Sequence, residues 1–318
     1  MGPVQGGRMS GPAGPTNAPA KTVRPGLGVA LGLGAACCLG LAIAVSRFAY
    51  EGGTTGLTLG ATRGVFLVAV LGAILVARGR SLALSWRDWG HCAANGVLMG
   101  YVFYANVGAV QFIPISFAAL FYFTYPPMIA ALTALLDRRW IGWPKAAAVF
   151  VSFAGLALML GVSLADLDWR GAALSLTAAL FTAINALWVV RHARHIDAIR
   201  FTFHMSVVAA LFLLALGGAF GALVVPVSAV GWLGLAGVVL LQSTGITVYF
   251  ASLAHIDALK SGMLTNIQPV VSILAAYLIF GELLAPAQFL GGGMVLAGIL
   301  SMQWRDHRAG RAAGQNSA

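Results

Sequence analysis

Apolar residues gather in ten long runs along the chain, separated by short clusters of arginine, proline and acidic residues. A helix rising about 1.5 Å per residue needs about 20 apolar residues to cross a hydrocarbon core about 30 Å thick. That length predicts spans at 26–45, 57–77, 89–110, 115–136 and 141–161, then at 171–190, 201–223, 229–250, 259–280 and 286–304. The expected fold is an all-α integral membrane protein of ten transmembrane helices in two inverted five-helix repeats, 26–161 and 171–304. Residues 1–25, rich in Gly, Pro and Ala, and residues 305–318 have little to bury and read as disordered cytoplasmic tails. Lys21 and Arg24 precede an apolar run containing Ala42-Ile43-Ala44, an arrangement like a secretory signal. The run exceeds the roughly 7–15 apolar residues of such signals, so it reads as a retained helix.

Composition agrees with the pattern. The 318 residues are 59% hydrophobic and only 9% charged, whereas a soluble domain carries roughly 25% charge. The net charge of +10 is not gathered into the stripe or patch that nucleic acid requires. With the N-terminus inside, 16 Lys and Arg fall on the cytoplasmic side and only Arg47, Arg63 and Arg170 on the other. Such positive-inside bias sets orientation. It implies a multi-pass protein of the cell inner (plasma) membrane with both termini cytoplasmic. Cys37, Cys38 and Cys92 lie in apolar runs without disulfide or zinc spacing and read as helix-packing residues.

The two halves resemble each other. A shift of 143 residues aligns Ile113 with Ile256, Pro126 with Pro269 and Gly155 with Gly298. Five helices are an odd number, so the second unit sits upside down relative to the first. Inverted repeats of this kind characterise secondary transporters, which bind solute near the midplane between the repeats.

The stretch Ile113-Pro-Ile-Ser-Phe-Ala-Ala-Leu-Phe-Tyr-Phe-Thr-Tyr-Pro126 resembles the signature of the EamA-type transporter family in the drug/metabolite transporter superfamily. So does Ile256-Asp-Ala-Leu-Lys-Ser-Gly-Met-Leu-Thr-Asn-Ile-Gln-Pro269, followed by Phe280, Gly281 and Glu282, and Arg63 matches the early arginine of the second helix. The resemblance covers about residues 26–304 and implies ten helices, two EamA repeats and export of small metabolites. The first half departs from it at the glutamate, where Arg139 stands opposite Glu282 and Asp137 lies two residues earlier.

Pro126, Pro127 and Pro269 sit midway along predicted helices and should kink them, freeing carbonyls at Tyr122, Phe123 and Thr265. Freed carbonyls in lipid need a partner or a wet cavity. The same depth holds Tyr104 and Asn106, Tyr125, Asn185 and Trp188, Gln242 and Thr244, and Asn266 and Gln268. Their amides and hydroxyls suit a polar solute and their rings its apolar body, although such groups also bond helix to helix. The expected binding set is Asn266, Gln268, Pro269, Asn106, Tyr104, Tyr122, Tyr125, Pro126, Asn185, Trp188, Gln242 and Arg63, the last as a counter-charge or a snorkelling end group. G-x-x-x-G spacings such as Gly28/Gly32 and Gly96/Gly100 read as close packing within the chain.

The expected function is secondary transport, outward, of a small polar or amphipathic metabolite such as an amino acid, by alternating access. The partners are that solute and membrane lipids, with no cofactor, metal or nucleic acid, and with monomer and homodimer both open. The alternative is an intramembrane lipid-modifying enzyme, which needs clustered acids and histidines. All nine acids, from Glu51 to Asp306, fall instead in loops or at helix ends. Without a buried carboxylate to titrate, exchanging internal and external pH should leave the initial transport rate unchanged, and a strong dependence on the proton gradient would count against this.

Overall fold

The computed structural model describes residues 24–109, 111–113, 115–138, 140–161, 168–281 and 285–315. Residues 1–23 of the expected N-terminal tail, together with Arg139, Asp166 and Glu282, lie outside the described residues. Regular structure among the described residues is entirely helical. The first half holds α1 (Pro25–Glu51), α2 (Gly56–Ala77), α3 (Trp86–Ala109), α4 (Ile115–Tyr122), α5 (Tyr125–Asp137) and α6 (Trp143–Leu160). The second holds α7 (Trp169–Trp188), prolonged by a π-helical turn over Val189–Ala193, then α8 (Ala198–Ala219) and α9 (Ala229–Leu253). It ends with α10 (Ala258–Thr265), α11 (Ile267–Phe280) and α12 (Pro286–Gln315). Helix α12 thus stays helical to Gln315, where the sequence predicts a disordered tail beyond residue 304.

Helix starts follow local chemistry. Thr55, Asp168, Asp197, Ser228 and Asp257 each accept a hydrogen bond from a first-turn N–H of the helix they precede. Three of the acids expected at helix ends are therefore caps. At the other ends, Gly161 and Gly281 stop α6 and α11 with φ of 61° and 67°, a left-handed conformation that glycine adopts without a Cβ penalty.

Eight helical stretches among the described residues are long and apolar enough to cross a membrane. Two of the ten predicted spans fall short by that measure. Helix α3 carries Arg87, Asp88, His91 and Asn95 in its first three turns, and the apolar part of α12, Pro286–Met302, is shorter. Large apolar side chains such as Phe150, Leu233, Leu278 and Leu300 point outward, as lipid contact demands. Trp86, Trp140 and Trp143 at one end and Trp169 at the other are exposed at helix termini, where aromatic belts form.

Close approaches at glycine report chain direction. Along α2, Gly60, Gly64 and Gly72 face Leu213, Ala210 and Phe203, so α2 and α8 run antiparallel. In α6, Gly155 faces Gly291 and Met294 of α12, while Ser152 faces Gly298, again antiparallel. Helix α1 opposes α9, pairing Leu39 with Gly245 and Gly52 with Gly231, but runs parallel to α10 and α11, with Gly32 beside Leu264 and Gly40 beside Val271. Helix α3 runs parallel to α8, with Gly96 on Val208 and Gly100 on Phe212. These directions are those of a chain that reverses direction at every rod, with α4–α5 and α10–α11 each counting as one rod. The G-x-x-x-G pairs Gly28/Gly32 and Gly96/Gly100 serve contacts within the chain.

The interfaces recur when the halves are exchanged. Helix α1 packs on α9 as α7 packs on α3, and α1 lies on α10 and α11 as α7 lies on α4 and α5. Helix α2 meets α8, and α6 meets α12, each its own counterpart. One end of the bundle collects the basic residues, where Arg80 pairs with Asp197 at 3.2 Å, Arg191 with Asp137 at 2.6 Å, and Arg194 donates to the Ala254 carbonyl at 3.1 Å. The other end holds the pairs Arg47–Glu51 and Arg170–Asp168, both at 2.8 Å.

Candidate substrate-binding site

Each half contains one interrupted helix. Where the sequence predicts bends in continuous helices, the structure has breaks: α4 stops at Tyr122 and α5 starts at Tyr125, while α10 stops at Thr265 and α11 starts at Ile267. Adjacent Pro126 and Pro127 withdraw two backbone donors, and a helix interior cannot lose both; in the first turn of a new helix those donors have no intrahelical partner anyway. Pro269 occupies the corresponding first turn of α11. A threonine hydroxyl closes each break, Thr124 donating to the Phe121 carbonyl and Thr265 to the Gly262 carbonyl, both at 2.6 Å.

The interrupted helices meet. The Tyr125 hydroxyl donates to the Gly262 carbonyl at 3.4 Å, and a Cβ added to Gly262 would lie 2.9 Å from Ile129 Cδ1. Around this crossing sit Tyr122, with its ring centroid 5.5 Å from that of Tyr125, and Tyr249 of α9, within electrostatic reach of both. The Tyr122 hydroxyl lies against the Thr182 hydroxyl of α7 and within electrostatic reach of the Arg63 guanidinium of α2.

Arg63 is the unusual member. It is 6% exposed, and its guanidinium carbon stands 3.5 Å from the ring centroid of Phe103 on α3. Its buried Nε has no hydrogen-bond partner, and neither has the buried Tyr249 hydroxyl, which faces Ser261 without closing a bond of normal geometry. A cation–π contact returns about 0.5–2 kcal/mol, whereas an arginine at the centre of a spanning helix costs roughly 2.5–3.5 kcal/mol. The stack on Phe103 alone leaves the cation under-compensated.

Five of the other predicted residues fall in two further places. Asn185, 2% exposed, donates to Asn95 Oδ1 at 2.7 Å, and Asn95 in turn to the His91 carbonyl at 2.7 Å. Trp188 Nε1 donates to His91 Nδ1 at 3.1 Å, so Asn185 and Trp188 belong to a polar seam between α3 and α7. Asn266, in the second break, donates to Ser152 Oγ of α6 at 3.0 Å and leaves its buried Oδ1 unpartnered. Gln268 is half-buried next to buried Pro269, and its carbonyl lies over Gly40 of α1. Pro126 is buried at the first break. Asn106 bonds back to the Val102 carbonyl of its own helix at 3.0 Å. Tyr104 packs with Leu57, Ala61 and Leu213, Gln242 is half-buried, and Thr244 is exposed.

Phe103, Thr182, Tyr249, Asn95 and Ser152 escaped the sequence reading. Asn95, an amide inside an apolar run, offered a legible signal; an aromatic inside an apolar run offers none. Outside the spans, hydrogen bonds from the Arg170 side chain and backbone hold the Asp168 carboxyl below its ordinary value.

Comparison with known proteins agrees with this architecture. A solved structure described as "Crystal structure of protein" shares the fold, with a TM-score of 0.74 at 18% identity over 86% of this chain and 96% of that one. No curated protein matches the sequence. The model of the EamA-like transporter family matches twice, at residues 26–161 and at 169–303. Both interrupted helices fall within matched segments, and on that coverage the chain belongs to the EamA-like transporter family.

Proposed function

We propose that this transporter exports a small polar or amphipathic metabolite, an amino acid or a similar solute, across the inner membrane by alternating access. In this reading all ten rods span the bilayer as two inverted five-helix repeats, with both termini cytoplasmic. The single observation that carries it is the crossing of the two interrupted helices at Tyr125 and Gly262. Interrupted helices meeting at the repeat interface are where secondary transporters bind solute. The antiparallel contact of α2 with its own counterpart α8 supports inversion, because a two-fold axis relating two antiparallel neighbours lies across them, in the membrane plane. Alternating directions through α3 and α12 support ten crossings, and the basic residues gathered at one end support cytoplasmic termini. The enzyme alternative is not favoured, since the family is one of transporters.

The binding set is centred on Arg63, Tyr122, Tyr125 and Pro126, with Asn266, Gln268 and Pro269 at the second break. Tyr104, Asn106, Asn185, Trp188 and Gln242 remain in it as flanking positions. Purified protein in liposomes, offered a panel of small metabolites, should carry at least one above protein-free vesicles. Asn266→Ala and Gln268→Ala should slow that solute about tenfold, the equivalent of about 1.4 kcal/mol. Normal rates in both variants would remove the two residues from the site, and an inert wild type would count against transport itself.

A further inference from the structure

We infer that the solute carries a carboxylate, and that Arg63 is its anchor, with the hydroxyls of Tyr122 and Tyr249 completing the anion's shell. This rests on the transport reading above and narrows its solute class. A buried guanidinium needs an anion, and six acids whose side chains the structure describes are engaged elsewhere. Glu51 pairs with Arg47, Asp88 with His195, Asp137 with Arg191, Asp168 with Arg170 and Asp197 with Arg80. Asp257 caps α10. Among the residues whose side chains are described no carboxylate therefore reaches Arg63, and its Nε is left without a partner.

The geometry says how an anion would dock. Phe103 covers one flat face of the guanidinium, and the N–H donors lie in the plane, at right angles to that stack. An edge with two parallel donors matches the two oxygens of a carboxylate, a fit that a lysine ammonium or a lone amide does not reproduce. Another buried polar group without a partner, the Tyr249 hydroxyl, lies within electrostatic reach of Tyr122, as Tyr122 does of Arg63. The rings of Tyr122 and Tyr125, 5.5 Å apart, offer apolar faces to the rest of the solute. Positive charge here repels a cationic solute and leaves a neutral amide with weaker hydrogen bonds. The unpartnered Arg63 Nε and Tyr249 hydroxyl are thus accounted for by one ligand chemistry.

The test compares each carboxylate with its own primary amide in proteoliposomes: leucine with leucinamide, phenylalanine with phenylalaninamide, and benzoylglycine with benzoylglycinamide. Flux is counted above protein-free vesicles. Wild type should carry at least one carboxylate about tenfold faster than its amide, and Arg63→Gln should abolish that preference while eluting as a monodisperse protein. Arg63→Lys should retain part of it, and Tyr249→Phe should slow the carboxylate and spare the amide. Amides moving as fast as carboxylates in wild type would overturn the proposal and leave transport standing. So would an undiminished preference in Arg63→Gln or, if that variant does not fold, in both Arg63→Lys and Tyr249→Phe. No flux of any member would overturn the transport reading itself.

Discussion

A leucine at Gly155 or Gly291 is expected to cost the protein its fold, seen as a several-fold loss of monodisperse material after detergent extraction. At this crossing α6 and α12 touch backbone to backbone. A Cβ on Gly155 would lie 2.6 Å from the Gly291 carbonyl oxygen and 2.9 Å from the Val295 nitrogen, and one on Gly291 would lie 2.6 Å from the Met159 nitrogen. Side chains can turn aside, but helix backbone cannot, so the rods must separate. Overpacking costs about 1–3 kcal/mol even where side chains can adjust. Separation also strips contacts from the largest core cluster, which includes Leu156, Met159, Val295 and Ile299 of these two helices. The control lies on the same helix: Gly293 has nothing within 4 Å of its would-be Cβ and faces outward. Gly293→Leu should extract like wild type, since a lipid-facing leucine is favourable. Equal yields from all three variants would show that this crossing is not close-packed.

The second large effect concerns the end of the bundle away from the basic residues. There the rings of Phe48 of α1 and Phe280 of α11 meet tilted at 48° with 4.9 Å between centroids, and the Arg47 guanidinium carbon stands 4.6 Å from the Phe280 ring centroid. Helices α1 and α11 belong to opposite halves, so the alternating access proposed above would open this contact once per cycle. Cysteines at 48 and 280, in a chain whose Cys37, Cys38 and Cys92 have been replaced by alanine, should cross-link under oxidation or with a short bifunctional maleimide. Transport should then stop, and after disulfide cross-linking a reductant should restore it. A fully cross-linked protein that still transports at the uncross-linked rate would rule out opening at this contact.

The repeat and the breaks illustrate how far the sequence could be read. Pro126 and Pro269 pointed to matched interruptions because a missing N–H is a property of the residue, wherever it packs. Whether the helix bends or stops was not legible. That depended on Pro127 following Pro126, and on hydroxyls at Thr124 and Thr265 near enough to bond the Phe121 and Gly262 carbonyls. In the sequence, type and depth alone single out the amides. Asn185 turned out to bond Asn95, 90 positions away, and Asn266 to bond Ser152, 114 positions away. Depth along a helix follows from counting residues, but the direction a side chain faces depends on how each rod is rotated against its neighbours.

The sequence by itself determined that this chain is helical and belongs in a membrane, where its helices run, and where its basic residues collect. Each of these follows from one-dimensional quantities: the length of an apolar run, the transfer cost of a charge, the donor that proline lacks. The tertiary structure decided which polar groups meet, setting Arg63 over Phe103, Tyr125 against Gly262, and Tyr249 near Tyr122. Lipid tails are as apolar as the side chains they touch, so hydropathy does not distinguish the inward face of a rod from the outward one. That choice falls to close packing at glycines and to a few hydrogen bonds, between residues far apart in the chain.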